Sequence, residues 1–363
     1  MKRKQIIVLL VVFVVLGALV YLQIRTWRRF DWQKFKEGSE GINWLRVLSA
    51  IALIYLADFL RAVRWKIFLR PSAPNANWRG LIAPQYVGFT GLALLGRPGE
   101  FIRPYLIARR QNLTFASQVA LWFVERAFDT GAVTVMLAAD LFLVPGMRDD
   151  YPKWQPFGYG LIALFLGFVV LLVALAKRGP AISSWVCRRI SMFSAMLGTK
   201  IEARLRSMAS GLNAIRDFRS FTESAALSLL IWVVLAFAYR QVTHAYPVAT
   251  GLPDLNLREV VLLMAASIAG GVIQLPVVGG GSQLATIAVL SQTFGYADSP
   301  ELAVSCGMLL WLVTFMSVTP LGLALARYEH VSLRKLTEES QEAEHAIEAG
   351  IVHPEAAAGP DAH

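Results

Sequence analysis

Long apolar runs are the feature that most constrains what this sequence can fold into. Residues Ile6 to Ile24 and Phe157 to Ala176 are apolar stretches, and Ala225 to Tyr239 is nearly so. Each approaches the roughly 20 residues that a helix needs to cross the hydrocarbon core of a bilayer. Hydrophobic residues make up 56% of the chain and charged residues 17%, whereas soluble domains are about 25% charged. The sequence therefore predicts an all-α polytopic membrane protein.

Much of the positive charge is concentrated between two of the apolar runs. The net charge is +10, and residues 177–220 hold nine Lys and Arg against two acidic residues. Clustered Lys and Arg between spans are typical of a cytoplasmic loop. This placement predicts a bacterial inner-membrane protein with cytoplasmic N- and C-termini, and it argues against a nucleic-acid partner. The two cysteines, Cys187 and Cys306, suggest no disulfide framework or metal pattern, so no cofactor is expected.

Taking the basic loops as cytoplasmic gives about six full spans and two broken or re-entrant helical hairpins. They lie in an integral membrane domain of residues 1–328, with one half at about 44–144 and the other at about 223–326. The run at 6–24 is interpreted as a retained signal-anchor, because arginines rather than a small-residue cleavage site follow it. Residues 329–363 are acidic and Ala-rich, which predicts a disordered cytoplasmic tail.

The two interrupted hairpins resemble each other. When they are aligned, Gly88 and Gly96 fall on Gly271 and Gly279. Chance is one explanation, because glycine is frequent in membrane helices. We favour an inverted repeat, because the topology enters the two hairpins from opposite sides and paired broken helices recur in secondary transporters. The residues predicted to break the helices are Gly96, Pro98, Gly99, Pro276, Gly279, Gly280 and Gly281.

Charged residues accompany the break in the first hairpin, where Arg97, Glu100 and Arg103 fall within seven residues. Each would cost at least a few kcal/mol in lipid, so each should be paired or face a cavity. A surface loop with solvated charges is the alternative. The apolar arms on both sides favour the buried interpretation, with these three residues as candidate substrate-binding groups.

A second charged group, Glu125, Arg126 and Asp129, lies inside an apolar span. Glu125 and Asp129 are four residues apart and therefore share one helical face. Ionisable residues inside a membrane are functional candidates by default. The alternative is a structural ion pair, for example between Glu125 and Arg103, and the two roles are compatible.

Arginines at the inner end of the second span form a third candidate group. Arg61 and Arg64 follow Asp58 and share a helical face, which suits either anchors that snorkel to the cytoplasmic surface or contacts to a phosphate. The second hairpin supplies uncharged candidates instead, Gln274 and Gln283.

These motifs, in this order, resemble the transmembrane domain of the lysylphosphatidylglycerol synthase/flippase family. The resemblance rests on residues 61–65, 96–103, 125–129 and 276–281, and it covers about residues 5–328. It implies an integral membrane lipid translocator. Bifunctional members add a soluble aminoacyl-transferase domain that is not recognised here, so lipid modification is not expected. The family pattern also implies an acidic residue after the second glycine run, where this chain has Ser282 and Gln283.

The predicted function is translocation of a lipid or lipid-linked amphiphile, with the arginines meeting the headgroup phosphate and the carboxylates holding the arginines. Two alternatives remain open. One is a membrane-embedded enzyme acting on a phospho- or polyprenyl-lipid, with Mg²⁺ on the carboxylates. The other is an accessory subunit of a lipid or glycan synthase. The expected partners are membrane lipids (anionic or aminoacylated phospholipid, or another lipid-linked substrate), with a homo-oligomer or a synthase partner as further options.

Overall fold

The computed structural model describes residues 32–143, 154–167, 170, 218–271, 274–275 and 279–328. Their regular secondary structure is helical apart from one two-residue antiparallel ladder, in which Gln274 pairs with Gly280 and Leu275 with Gly279. The predicted all-α class is therefore confirmed, with this small ladder as the exception. The predicted signal-anchor, most of the basic loop and the predicted tail lie outside the described residues.

The helices follow one another in a simple order along the chain. They are α1 (Trp32–Ser39), α2 (Trp44–Leu69), α3 (Trp78–Leu95), α4 (Ile102–Arg110), α5 (Phe115–Ala138), α6 (Gln155–Gly167), α7 (Phe218–Thr243), α8 (Leu257–Gly270), α9 (Gly281–Gln292), α10 (Pro300–Trp311) and α11 (Thr319–Tyr328). A 3-10 turn, Arg97–Phe101, joins α3 to α4, and β1 (Gln274–Leu275) and β2 (Gly279–Gly280) lie between α8 and α9. Short π-helical turns extend α5 over Ala139–Leu143 and α10 over Leu312–Met316.

The first hairpin consists of α3, the 3-10 turn and α4. Gly96 ends α3 with φ of 72°, a conformation that favours glycine, and Pro98 begins the next turn. The two arms approach closely, because a Cβ on Gly99 would overlap the carbonyl group of Gly91. The helix therefore breaks at the residues that the sequence predicted for this hairpin.

The second hairpin has the same outline, with α8 and α9 as its arms and the small ladder at its tip. Gly280 takes a φ of 131°, and a Cβ on Gly270 would overlap the backbone of Gly281. Each hairpin thus closes on a contact between two glycines, one near the end of the first arm and one near the start of the return. Pro276 lies outside the described residues.

The two longest helices, α2 and α7, pack against each other in opposite directions. Arg46 contacts Gln241 at one end, Arg64 contacts Ser228 further along, and Arg70 contacts Ser220 at the other end. Each helix has 26 residues, a length of about 39 Å. The same order of elements, a long helix and then a broken hairpin, therefore occurs twice, and its two long helices are antiparallel.

The helix that holds Arg61 and Arg64 continues beyond both arginines. It runs as one element from Trp44 to Leu69. Arg61 and Arg64 are buried in the interior of this helix. Their charges are neutralised by partners on α2 and α5, so they do not need to reach a headgroup region.

Two helical segments of the described chain are long and apolar enough to cross a membrane, α7 and the continuous segment Pro300–Tyr328. The main apolar core lies where α2, α7 and α8 meet, with Ile54, Val242 and Leu263 among its buried side chains. A second core beneath the first hairpin contains Trp65 and Phe68.

Candidate functional site

A cavity of about 220 Å³ lies between the two hairpins. Its walls come from α2, α3, the 3-10 turn, α4, α5, α7, α8 and the π-helical turn after α10. The charged residues that line it are Asp58, Arg61, Arg97, Glu100, Arg103, Arg126 and Asp129. Segments distant in sequence therefore converge on one charged space enclosed mostly by apolar and aromatic side chains.

Glu125 on α5 is the carboxylate that connects the helices around this cavity. Its side chain is fully buried and accepts hydrogen bonds from Arg103 of α4 and from Arg64 of α2, the latter at 2.7 Å. Arg103 is sandwiched between this carboxylate and the ring of Trp65, whose centroid lies 4.3 Å from the guanidinium carbon. One carboxylate therefore joins three helices, and both of its arginine partners are held by further contacts.

Asp129 lies one turn further along α5, as its four-residue spacing from Glu125 requires. It accepts a hydrogen bond of 2.7 Å from Arg64 and one of 3.3 Å from the indole N–H of Trp232 on α7. Arg64 also donates to the hydroxyl of Ser228 on α7 at 2.6 Å. These contacts connect α2, α5 and α7 through Arg64, whose side chain is fully buried.

A chain of polar contacts links Asp58 to Arg103 along one wall of the cavity. Asp58 accepts from Arg61 at 2.8 Å and from the amide of Gln85 at 3.5 Å, and the Gln85 carbonyl accepts from Arg103 at 2.9 Å. The guanidinium of Arg61 lies over the ring of Phe89, 4.9 Å from its centroid. The second oxygen of Asp58 has no hydrogen-bond partner in the described part of the chain.

The tip of the first hairpin reaches the second hairpin through one side chain. Arg97 forms an ion pair with Glu100 and also donates a hydrogen bond to the carbonyl oxygen of Gly271, which follows α8. The side chain of Arg97 is 45% exposed, whereas that of Glu100 is 7% exposed. Arg97 therefore lies at the mouth of the cavity, with its carboxylate partner further inside.

Arg126 differs from the other four arginines of the cluster. Its guanidinium lies 3.6 Å from Glu125 and 3.5 Å from Asp129, and within the described residues it makes no hydrogen bond. Its side chain is 38% exposed and lies beside Trp122, 5.8 Å from the ring centroid. Arg126 thus faces the cavity with two carboxylates at ion-pair distance and, among the described residues, no hydrogen-bond acceptor for its Nε.

The cavity brings together most of the charged residues predicted from the sequence but gives them unequal positions. Arg61, Arg97, Glu100, Arg103, Arg126 and Asp129 line it, whereas Arg64 and Glu125 lie behind its wall. The interpretation of Arg64 as an anchor at the membrane surface is wrong, because its side chain is fully enclosed by partners from α5 and α7. A contact from Arg64 to a phosphate stays a prediction. Gln283 does not line the cavity, and the side chain of Gln274 lies outside the described residues.

Three residues of the site were not among the predicted site residues. Asp58 and Trp232 line the cavity, and Gln85 bridges Asp58 and Arg103. Asp58 could have been identified from the sequence, because it lies three residues before Arg61 on the same helical face. Gln85 and Trp232 could not, because each is a single polar or aromatic residue in an apolar segment. In the part of the chain that the structure describes, no group of three or more His, Cys, Asp or Glu residues could hold a metal ion.

The fold and the charged cavity define a helical protein in which two broken hairpins enclose one polar space. The chain belongs to the family described as the lysylphosphatidylglycerol synthase TM region, whose model matches residues 5–323. This membership supports a membrane location and a function related to membrane lipids.

The chain is also similar to the glycosyltransferase AglD of Haloferax volcanii, with 28% identity over 216 residues. This match covers 52% of the chain and 34% of that relative, so the chain spans about a third of the relative's length. No solved structure matches the chain.

Proposed function

We propose that the protein translocates a lipid, or a lipid-linked amphiphile, between the leaflets of a bacterial inner membrane, and that the headgroup passes through the cavity between the hairpins. The observation that carries this proposal is the cavity itself. It is lined by seven charged side chains within a helical domain whose family is defined by a membrane region. Charged side chains at membrane depth are costly unless they serve a polar pathway or each other.

The division of polar and apolar surface suits a headgroup whose acyl chains stay in the bilayer. The arginines provide donors for a phosphate, and guanidinium groups bind phosphate oxygens through two parallel hydrogen bonds. Leu92, Phe89 and Ile268 line the cavity between the charged residues, and Ile268 is 37% exposed. An apolar edge of this kind lets acyl chains follow a headgroup that enters beside the hairpins.

Movement of two halves related by an inverted repeat would carry the headgroup from one leaflet to the other. The antiparallel packing of α2 and α7, each followed by a broken hairpin, supports this arrangement. In transporters with inverted repeats, one half rocks against the other around a site near the midplane. We include about six full spans and cytoplasmic termini in the proposal, because basic residues cluster at 177–220.

A leaflet-accessibility assay in proteoliposomes tests the proposal. Fluorescent lipids with anionic, zwitterionic and aminoacylated headgroups would be reconstituted with the protein, and an impermeant quencher would report which leaflet they occupy. Leu92→Trp fills the cavity without changing its charge, so it should abolish protein-dependent transfer. Leu284→Trp is the matched control, because Leu284 is 67% exposed on α9 and does not line the cavity. Equal transfer by both variants would contradict passage through the cavity.

A second candidate is the handling of a lipid-linked sugar for a separate glycan synthase. It is favoured by the similarity to a glycosyltransferase. Adding a polyprenyl-phosphate sugar to the panel tests this candidate, and co-purification would identify a synthase partner. Mass spectrometry of the recovered lipids distinguishes both roles from an embedded enzyme, since only an enzyme changes the lipid chemically.

A further inference from the structure

The charges around the cavity do not cancel. Its lining contains four arginines and three carboxylates, and the layer behind the wall adds Arg64 and Glu125. Both counts leave one positive charge in excess among the described residues. Because arginine stays protonated in proteins, this excess cannot be removed by loss of a proton.

Hydrogen bonding identifies the arginine that carries the excess. Each carboxylate has its own hydrogen-bonded arginine, in the pairs Asp58–Arg61, Glu100–Arg97, Glu125–Arg103 and Asp129–Arg64. Arg126 is left without such a partner, and its nearest carboxylate oxygens lie 3.5 and 3.6 Å away. Its Nε is buried without an acceptor in the described part of the chain.

We infer that Arg126 is the binding site for one anionic group and that the cavity selects a lipid phosphodiester whose headgroup carries a single net negative charge. This inference rests on the proposed function and names its substrate class. Arg126 shares Glu125 and Asp129 with Arg103 and Arg64, so a ligand with one negative charge completes the cluster. A zwitterionic headgroup leaves the excess in place because its ammonium group cancels its phosphate. A dianionic phosphomonoester replaces the positive excess with a negative one.

Equilibrium binding to the purified protein in a neutral detergent tests this inference without requiring transport. The probes are the dihexanoyl forms of phosphatidylmethanol, phosphatidylcholine and phosphatidic acid. They share their acyl chains and differ in headgroup charge, and phosphatidylmethanol has no further headgroup polar group. At pH 8, phosphatidylmethanol should bind at least about tenfold more tightly than the other two lipids, because one unpaired charge in the cavity weakens binding by that factor or more. A phosphomonoester gains its second charge at about pH 6, so phosphatidic acid should approach phosphatidylmethanol at about pH 5.

Variants test whether the preference for phosphatidylmethanol depends on Arg126. Arg126→Gln should remove the preference for phosphatidylmethanol, whereas Arg126→Lys should keep most of it because the charge remains. Arg46→Gln is the control, because Arg46 is an exposed arginine of α2 outside the cavity. Thermal unfolding of each variant separates loss of binding from loss of fold.

Several results would overturn the inference. One is equal affinity for all three lipids, and another is an unchanged preference in Arg126→Gln. The third is displacement of bound phosphatidylmethanol by dimethyl phosphate as readily as by the lipid itself, which would assign the site to soluble phosphodiesters. Selective binding by a protein that moves no lipid in proteoliposomes would instead overturn the proposed function and leave the anion site intact. Lipid transfer without selective binding would overturn the inference and leave the proposed function intact.

Discussion

Arg97 donates a hydrogen bond to the carbonyl oxygen of Gly271, and this contact joins the tip of the first hairpin to the end of α8. The same guanidinium pairs with Glu100 on its own hairpin. The mouth of the cavity is therefore closed in part by one side chain that is anchored on one hairpin and reaches the other.

Loss of this contact should open the cavity more often. Arg97→Gln is expected to increase, by several-fold, the rate at which an impermeant thiol reagent labels a cysteine at Thr314, which lines the cavity. The background would carry Cys187→Ser and Cys306→Ala. Glu100→Gln is the matched control, because it removes the ion pair within the hairpin but leaves the bond to Gly271. Equal labelling rates in both variants would show that the contact does not close the cavity.

Removing the shared carboxylate should destabilise the fold. Glu125→Gln leaves the buried Arg64 and Arg103 without their charged partner, and loss of one member of a buried ion pair costs about 3–5 kcal/mol. The apparent melting temperature in detergent should fall markedly. Glu223→Gln should change it little, because Glu223 pairs with Arg70 and Arg219 in a partly exposed position. A Glu125→Gln protein as stable as the wild type would contradict the structural role of this carboxylate.

The glycine contact at the first hairpin should not tolerate a methyl group. In Gly99→Ala the new Cβ would overlap the backbone of Gly91, and backbone cannot move aside as a side chain can. Overpacking of this kind costs about 1–3 kcal/mol. Gly160→Ala provides the comparison, because a Cβ there would meet no neighbouring atom within 4 Å among the described residues, and alanine favours the helix by about 0.5–1 kcal/mol. Thermal unfolding should therefore shift in opposite directions, and parallel shifts would argue against close packing at Gly99.

The number of excess charges should set the preferred ligand. Asp58→Asn removes one carboxylate from the cavity lining and raises the excess of positive charge from one to two. Phosphatidic acid, a dianion at pH 8, should then bind more tightly than phosphatidylmethanol, reversing the order expected for the wild type. Binding of both lipids to Asp58→Asn and wild-type protein measures the reversal. An unchanged order would mean that recognition depends on a local contact and not on the summed charge.

The fold was predictable from the sequence wherever one local feature decides the structure. The break at Gly96 and Pro98 follows from backbone chemistry that any helix obeys. The charges at Glu125 and Asp129 were identified as candidates because they interrupt an apolar run. The partners of these charges were less accessible, because Arg64 meets Glu125 across 61 residues of sequence.

Tertiary packing also explains why α2 continues through Arg61 and Arg64. Two arginines in a membrane helix suggest that the helix has reached the surface, unless a carboxylate on another helix lies beside them. That carboxylate lies on α5, and no sequence pattern within α2 predicts it. The contribution of Trp232 was hidden for the same reason, since its indole N–H has a partner only after α5 and α7 have packed.

The three-helix junction at Glu125 has a mechanical consequence. Because α4 is tied through this carboxylate to α2 and α5, the first hairpin should move with both helices as one rigid frame. The second hairpin contacts its surroundings through the Arg97 bond to Gly271, the hydroxyl bond from Tyr239 to Ser267 and the apolar side chains of α8. We expect the second hairpin, and not the first, to move relative to the rigid frame.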